Sequence, residues 1–209
     1  MRFKRFPLGA LWTNGYLFWD DGGAAFFVDP GGDATEVLEF MKENNLKLEK
    51  ILLTHGHLDH IAGVCDLKPL VGNEVYVSHN DARLLRHPPE ELQRALRIDC
   101  APVTDFREIS EGMTLKVGSM EALVMETPGH TEGSVCYLIK DNDESVLASG
   151  DTLFAQSVGR TDLDGGDAEA LEASLRRLAK LPDNLRVLPG PGPETFIGDE
   201  RKRNPFWPR

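Results

Sequence analysis

The stretch Ile51-Leu52-Leu53-Thr54-His55-Gly56-His57-Leu58-Asp59-His60 decides the reading of this chain. A short apolar run, the mark of a buried strand, leads directly into a loop that carries three histidines and a carboxylate. Half of the chain's six histidines lie there, and core packing has no use for so many polar rings at a strand end. Neutral imidazole and carboxylate together are a ligand set that zinc, iron and manganese accept. Alternate residues of an extended loop point the same way, so His55 and His57 can grip one ion while Asp59 and His60 turn toward a neighbouring position. The i, i+2 spacing excludes the helical arrangement in which two histidines lie four apart.

The same pattern returns further along. Leu123-Val124-Met125 leads through Thr127-Pro128-Gly129 to His130, and Val146-Leu147-Ala148 leads through Ser149-Gly150 to Asp151. A fourth run, Val187-Leu188-Pro189-Gly190, leads to Pro191. Loops at the carboxyl ends of adjacent strands meet in one crevice in α/β folds, so three of these four ends are expected to supply metal ligands to a common site. His79 and His87, among polar residues with no strand end before them, read as surface groups. Arg160 reads as one half of an ion pair with Asp162 or Asp164, and Tyr16 as a core residue.

Length and charge narrow the classes. At 209 residues the chain is expected to form one domain, 1–209, with a substantial core. A net charge of −11 repels phosphate backbones and anionic bilayers, so neither nucleic acid nor membrane is expected as a partner. Met1 to Pro7 carry charge with no following apolar stretch of signal-peptide length, and the expected compartment is the cytoplasm. Three irregularly spaced cysteines suggest neither a disulfide framework nor a thiolate site.

Leu11 to Trp19 and Ala24 to Val28, around Asp20-Asp21-Gly22-Gly23, read as a hairpin. Asp33 and Glu36 resemble a capping box ahead of a helix through Val37, Phe40 and Met41 that ends near Asn45. Lys50 to Thr54 and Val75 to Val77 follow as strands, with helical or loop insertions at Asn80–Arg86 and Pro89–Arg97. Thr114–Val117, Glu121–Glu126, Ser134–Ile139 and Ser145–Ser149 read as successive strands. Asp167 then caps a helix whose Leu171, Leu175 and Leu178 recur at i, i+4 and i+7. Two rounds of strands, each followed by a helix, imply an α/β sandwich of two packed sheets with helices outside.

His55-x-His57-x-Asp59-His60, Thr127-Pro128-Gly129-His130-Thr131 and Ser149-Gly150-Asp151-Thr152-Leu153-Phe154 together resemble the metallo-β-lactamase superfamily over essentially the whole chain. Gly159-Arg160-Thr161-Asp162, Gly190 to Thr195 and Glu200-Arg201 to Asn204-Pro205-Phe206 look like its compact glyoxalase II-like hydrolases. The resemblance implies an αββα four-layer sandwich of two mixed sheets with a two-metal cleft. His55, His57 and His130 would hold the first metal, Asp59 and His60 the second, and Asp151 would bridge. Zinc is the implied metal, with iron or manganese also compatible. The implied reaction is hydrolysis of an ester or thioester, a glutathione thioester such as S-lactoylglutathione leading, in which Asp59 orients the nucleophile and accepts its proton.

The chain departs from that pattern at one place. Family members carry Gly-His-Gly-Pro where this chain has Gly190-Pro191-Gly192-Pro193, and proline has no side-chain donor, so the second metal site is expected to be weakened. Two other readings resemble the same motifs: a persulfide dioxygenase-like enzyme with mononuclear iron on His55, His130 and Asp151, and a binding protein that kept the fold with weakened catalysis.

Overall fold

Runs such as Ala24–Val28 and Ile51–Leu53 are apolar at every position, so both of their faces have to be covered. In the computed structural model, which describes residues 1–208, these runs form the inner layers of a four-layer stack. The first sheet takes β1 (Arg2–Leu8), β2 (Thr13–Trp19), β3 (Ala24–Val28), β4 (Lys47–Leu52), β5 (Val75–Ser78) and β6 (Arg107–Ile109) in chain order. Its first three strands pair antiparallel and its last four parallel. The second sheet begins with the antiparallel strands β7 (Thr114–Val117), β8 (Met120–Glu126), β9 (Val135–Asp141) and β10 (Glu144–Gly150). After the small hairpin β11 (Leu153–Phe154) and β12 (Ser157–Val158), β13 (Arg186–Pro189) joins β10 in parallel and β14 (Thr195–Phe196) closes the edge.

Side-chain alternation sends successive residues to different layers. Phe18, Phe26, Val28 and Leu52 of the first sheet pack on Val124, Tyr137, Ile139 and Ala148 of the second. On the other face, Leu17, Phe27 and Ile51 lie under α1 (Thr35–Glu43), α2 (Leu58–Ile61), α3 (Val64–Val71) and α4 (Ala82–Arg86), meeting Val37, Leu58, Leu67 and Leu85. The helix α5 (Glu90–Leu96) follows α4 and packs Leu96 on the same cluster, while beyond the second sheet Cys136, Leu147 and Val187 meet Leu171, Leu175 and Leu178 of α6 (Ala168–Leu178) and Ile197 of α7 (Ile197–Arg203). The expected αββα sandwich is what forms. Asp167 caps α6 as expected, its carboxylate accepting from the backbone of Glu169 at 2.9 Å and Ala170 at 3.0 Å.

One expectation fails, and one strand had no counterpart in the sequence reading. Ala34, not Asp33, stands at the start of α1, and Asp33 instead accepts from the Thr35 backbone and hydroxyl, an Asx turn just outside the helix. The Ala34 amide is taken by Asp66, a residue of α3 that local sequence cannot reveal. Arg2–Leu8 is a strand, masked in the sequence by its charges and Pro7. Both suit an edge strand, where charge and proline block further pairing. No helix among the described residues is long and apolar enough to cross a membrane.

The sheets are also tied by polar bonds below the crevice. The buried Tyr137 hydroxyl donates to the Leu53 carbonyl at 2.9 Å, and the Val135 amide to the Thr54 carbonyl at 2.8 Å. Tyr137→Phe is expected to lower the unfolding free energy by about 1–2 kcal/mol. Phe27→Ala, which opens a void between sheet and helices, should cost about 3–5 kcal/mol. Urea denaturation reads both.

Candidate metal centre

Each residue singled out in the strand-end loops sits just beyond a strand: His55 follows β4, His130 follows β8, Asp151 follows β10, and Gly190-Pro191 follows β13. The loops converge at one end of the sandwich. His55 Nε2 lies 3.1 Å from His57 Nδ1, which lies 3.0 Å from His130 Nε2. The other ring nitrogens are already engaged. His130 Nδ1 donates to the Arg160 carbonyl at 2.8 Å, so its Nε2 is a lone pair. The Thr54 hydroxyl, which donates to Asp29, accepts from His55 Nδ1 at 3.1 Å, so His55 Nε2 is a lone pair as well. His57 Nδ1 can donate to one of them but not to both. Tetrahedral zinc with Zn–N bonds of about 2.0–2.1 Å requires nitrogens about 3.3 Å apart, close to this spacing.

Burial keeps His55 and His57 neutral. Burial, and then the neighbouring imidazoles, push His55 well below its ordinary pKa, and the same causes bring His57 down to about 4. Both are therefore free to bind a cation at neutral pH.

A second donor group adjoins the first. His60, Asp151 and His55 bring one donor atom each within reach of a common ion. His60 Nδ1 donates to Asp29 at 2.9 Å, which turns Nε2 toward Asp151 Oδ1, 3.2 Å away. Among the described residues, these two atoms are the buried side-chain polar atoms with no hydrogen-bond partner. Buried polar atoms are seldom left so, and a cation between them would satisfy both. Burial lowers the His60 pKa, but Asp151, Asp29 and Asp59 together raise it well above the ordinary value. The pocket thus favours positive charge. Asp151 faces both groups, since its Oδ2 lies 3.5 Å from His130 Nε2.

Asp59 stands farther out, its Oδ2 lying 3.7 Å from His60 Nε2 and accepting the Thr13 hydroxyl at 2.7 Å. A Cβ on Gly190 would lie 2.4 Å from Asp151 Oδ1 and 2.8 Å from His60 Cε1, so the segment carrying Pro191 passes directly beside the second group. Neither His79, exposed and paired with Glu108, nor His87, at the rim of the cleft, belongs to either group. Arg160 pairs with Asp162 at 2.7 Å as expected, while Asp164 pairs with Arg83. Tyr16 is buried, and its hydroxyl fastens the Pro189 carbonyl at 2.9 Å.

Sequence reasoning missed the residues that hold these loops. Asp29 accepts from the Thr54 amide and hydroxyl and from His60; its place at the end of the run Phe26-Phe27-Val28 was the available signal. Asp81, in the insertion after β5, accepts from the Gly56 amide at 2.8 Å, the Thr131 hydroxyl at 2.8 Å and the Gly133 amide at 3.0 Å. One carboxylate therefore clamps the His55–His57 loop to the His130 loop. Nothing in the local sequence marks it.

Comparison with known proteins shows the family of the chain. A family model described as the metallo-beta-lactamase superfamily matches residues 8–190. The hydroxyacylglutathione hydrolase GloC of Haemophilus influenzae is 37% identical over 99% of this chain and 98% of its own length. Among solved structures, the BLEG-1 B3 metallo-beta-lactamase is 39% identical with a TM-score of 0.89, covering 99% of both chains. TTHA1623 in a di-iron-bound form is 36% identical with a TM-score of 0.86, over 97% of this chain and 99% of that one.

Asp81→Ala should weaken metal binding about 10- to 100-fold, the usual effect of removing a group that orients ligands. Competition with a chromophoric chelator measures this, with circular dichroism to confirm that the variant is folded.

Proposed function

Because the chain belongs to the metallo-beta-lactamase superfamily, we propose that it is a metal-dependent hydrolase of esters or thioesters, with glutathione thioesters such as S-lactoylglutathione the leading substrates. One observation carries the reading: three imidazoles with successive ring nitrogens 3.0–3.1 Å apart, next to the unpaired His60 Nε2 and Asp151 Oδ1. The similarity to a hydroxyacylglutathione hydrolase supports the thioester.

His55, His57 and His130 would hold the first metal, and His60 and Asp59 a second, with Asp151 shared because its two oxygens face the two groups. Zinc suits the donor set, and the similarity to a di-iron-bound chain supports iron as well. A bound divalent ion would supply a water of pKa ~7 and polarise a carbonyl. The protein's own groups do the rest. Asp59 lines the cleft, one oxygen held by Thr13, and is placed to orient the attacking water and take its proton. Asp29 fixes His60 directly and His55 through Thr54, so the ligands need not reorganise.

Pro191 bears on the second ion. The segment is rigid, since the Asn14 amide donates to the Gly190 carbonyl at 2.7 Å and its side chain to the carbonyls of Pro189 and Gly192. With no donor atom at 191, the second site binds more weakly than the first. The mononuclear iron reading on His55, His130 and Asp151 has less support, because His57 Nδ1 lies 3.0 Å from His130 Nε2, closer than Asp151 Oδ2 at 3.5 Å.

Zinc-loaded protein is expected to hydrolyse S-lactoylglutathione, and Asp59→Asn to lower kcat by about 10²- to 10⁴-fold. Pro191→His should bring metal content, read by elemental analysis, closer to two ions per chain and tighten the second site by about 10-fold or more. If neither parent nor Pro191→His turns over the thioester, the thioesterase assignment is rejected. Oxygen consumption with glutathione persulfide by iron-loaded protein would favour the mononuclear alternative instead.

A further inference from the structure

The donor groups form the floor of a cleft of about 560 Å³, the size of a small-molecule site. His57, Asp59, His130 and Asp151 line its base. Its walls are leucines drawn from separate parts of the chain: Leu11 from the β1–β2 turn, Leu84 from α4, Leu92 and Leu96 from α5, and Leu163 from the loop after β12. Leu11 is 50% exposed, and Leu92 and Leu163 are 42% exposed each. Exposed leucines scattered singly over a surface need no explanation, but three around one cavity do.

The helix α5 sharpens the point. It buries none of its residues fully, although Leu92 and Leu96, four apart, share one face, and that face lines the cleft. A helix normally buries its apolar stripe against protein. Here only Leu96 is seated, partly buried against the first-sheet core, while Leu92 stays 42% exposed at the cavity. The two arginines that line the cleft are already matched, Arg83 with Asp164 at 3.0 Å and Arg160 with Asp162 at 2.7 Å, so the rim has no unpaired guanidinium for a substrate carboxylate.

We infer that this cleft is an acyl-binding site that takes an apolar chain, with the carboxyl or carbonyl end at the histidine floor and the chain along the Leu84–Leu92–Leu96–Leu163 wall. As a statement about substrate it rests on the hydrolase reading above. In a water-soluble thioester the carrier is the polar half and the acyl chain the apolar half, so the leucine wall takes the acyl chain and the carrier extends toward the charged rim. The preferred acyl group is therefore more apolar than lactoyl.

Two measurements on the zinc-loaded protein test this. Calorimetric titration with sodium carboxylates from butanoate to octanoate should show Kd falling about fourfold per added methylene, the effect of burying a CH₂ group. Leu92→Ser and Leu163→Ser, both at partly exposed positions, should flatten that gradient. Leu70→Ser, at a 51% exposed position of α3 that does not line the cleft, should leave it unchanged. A Kd independent of chain length, or a gradient flattened equally by Leu70→Ser, overturns the inference. The second measurement is turnover of acyl thioesters of one small thiol across the same chain lengths. A binding gradient without turnover of any thioester upholds the acyl site and removes the hydrolase reading. Turnover of S-lactoylglutathione with a flat binding gradient upholds the hydrolase and removes the acyl site.

Discussion

Lone pairs of neighbouring imidazoles repel, and the approach of His55, His57 and His130 to 3.0–3.1 Å is tolerable only if a cation sits among them or the framework holds them there against that repulsion. The architecture around the site answers to this constraint. Burial keeps His55 and His57 neutral, which removes the larger penalty of gathering charged rings, while the carboxylates Asp29, Asp59 and Asp151 around His60 make the adjoining position favourable to positive charge. A site so arranged binds cations because its alternative states are poor.

Rigid support is the corollary. Asp29 and Asp81 each accept several hydrogen bonds and thereby bind loops that belong to different sheets or different parts of one sheet. Asn14 and Tyr16, on β2, hold the segment from Pro189 to Gly192 although about 175 residues separate them in the chain. Glycine completes the fit where chains approach most closely. At Gly159 a Cβ would fall within 1.8 Å of the Asp151 carbonyl oxygen, and at Gly190 it would strike Asp151 itself. The same rigidity gives Pro191 its weight, because a segment held at Pro189, Gly190 and Gly192 has little freedom to bring another donor to the second group.

Most strands were legible because their apolar runs are short and bounded by turn residues. Lys50–Thr54, Glu121–Glu126 and Ser145–Ser149 fall within a few residues of β4, β8 and β10, the usual error of strand ends. The helix after Asp167 was legible from its leucine spacing and cap. Failures came where a distant group replaced a local one. Asp66 satisfies the amide that a capping box would have left to Asp33, and pairing with β2 makes a strand of the charged residues 2–8.

The donor inventory, its position at strand ends and the sandwich class were readable along the chain, since residue chemistry and hydrophobic period are local properties, while the weight of Pro191 came from the family resemblance. Tertiary structure alone decided that His57 Nδ1 rather than Nε2 faces its neighbours, that Asp151 looks toward both groups, that Asp81 joins two loops, and that leucines from four separate segments and helices wall one cleft. Those facts depend on where two sheets bring together groups tens to more than a hundred residues apart. Periodicity and spacing along one chain carry no term for such a meeting.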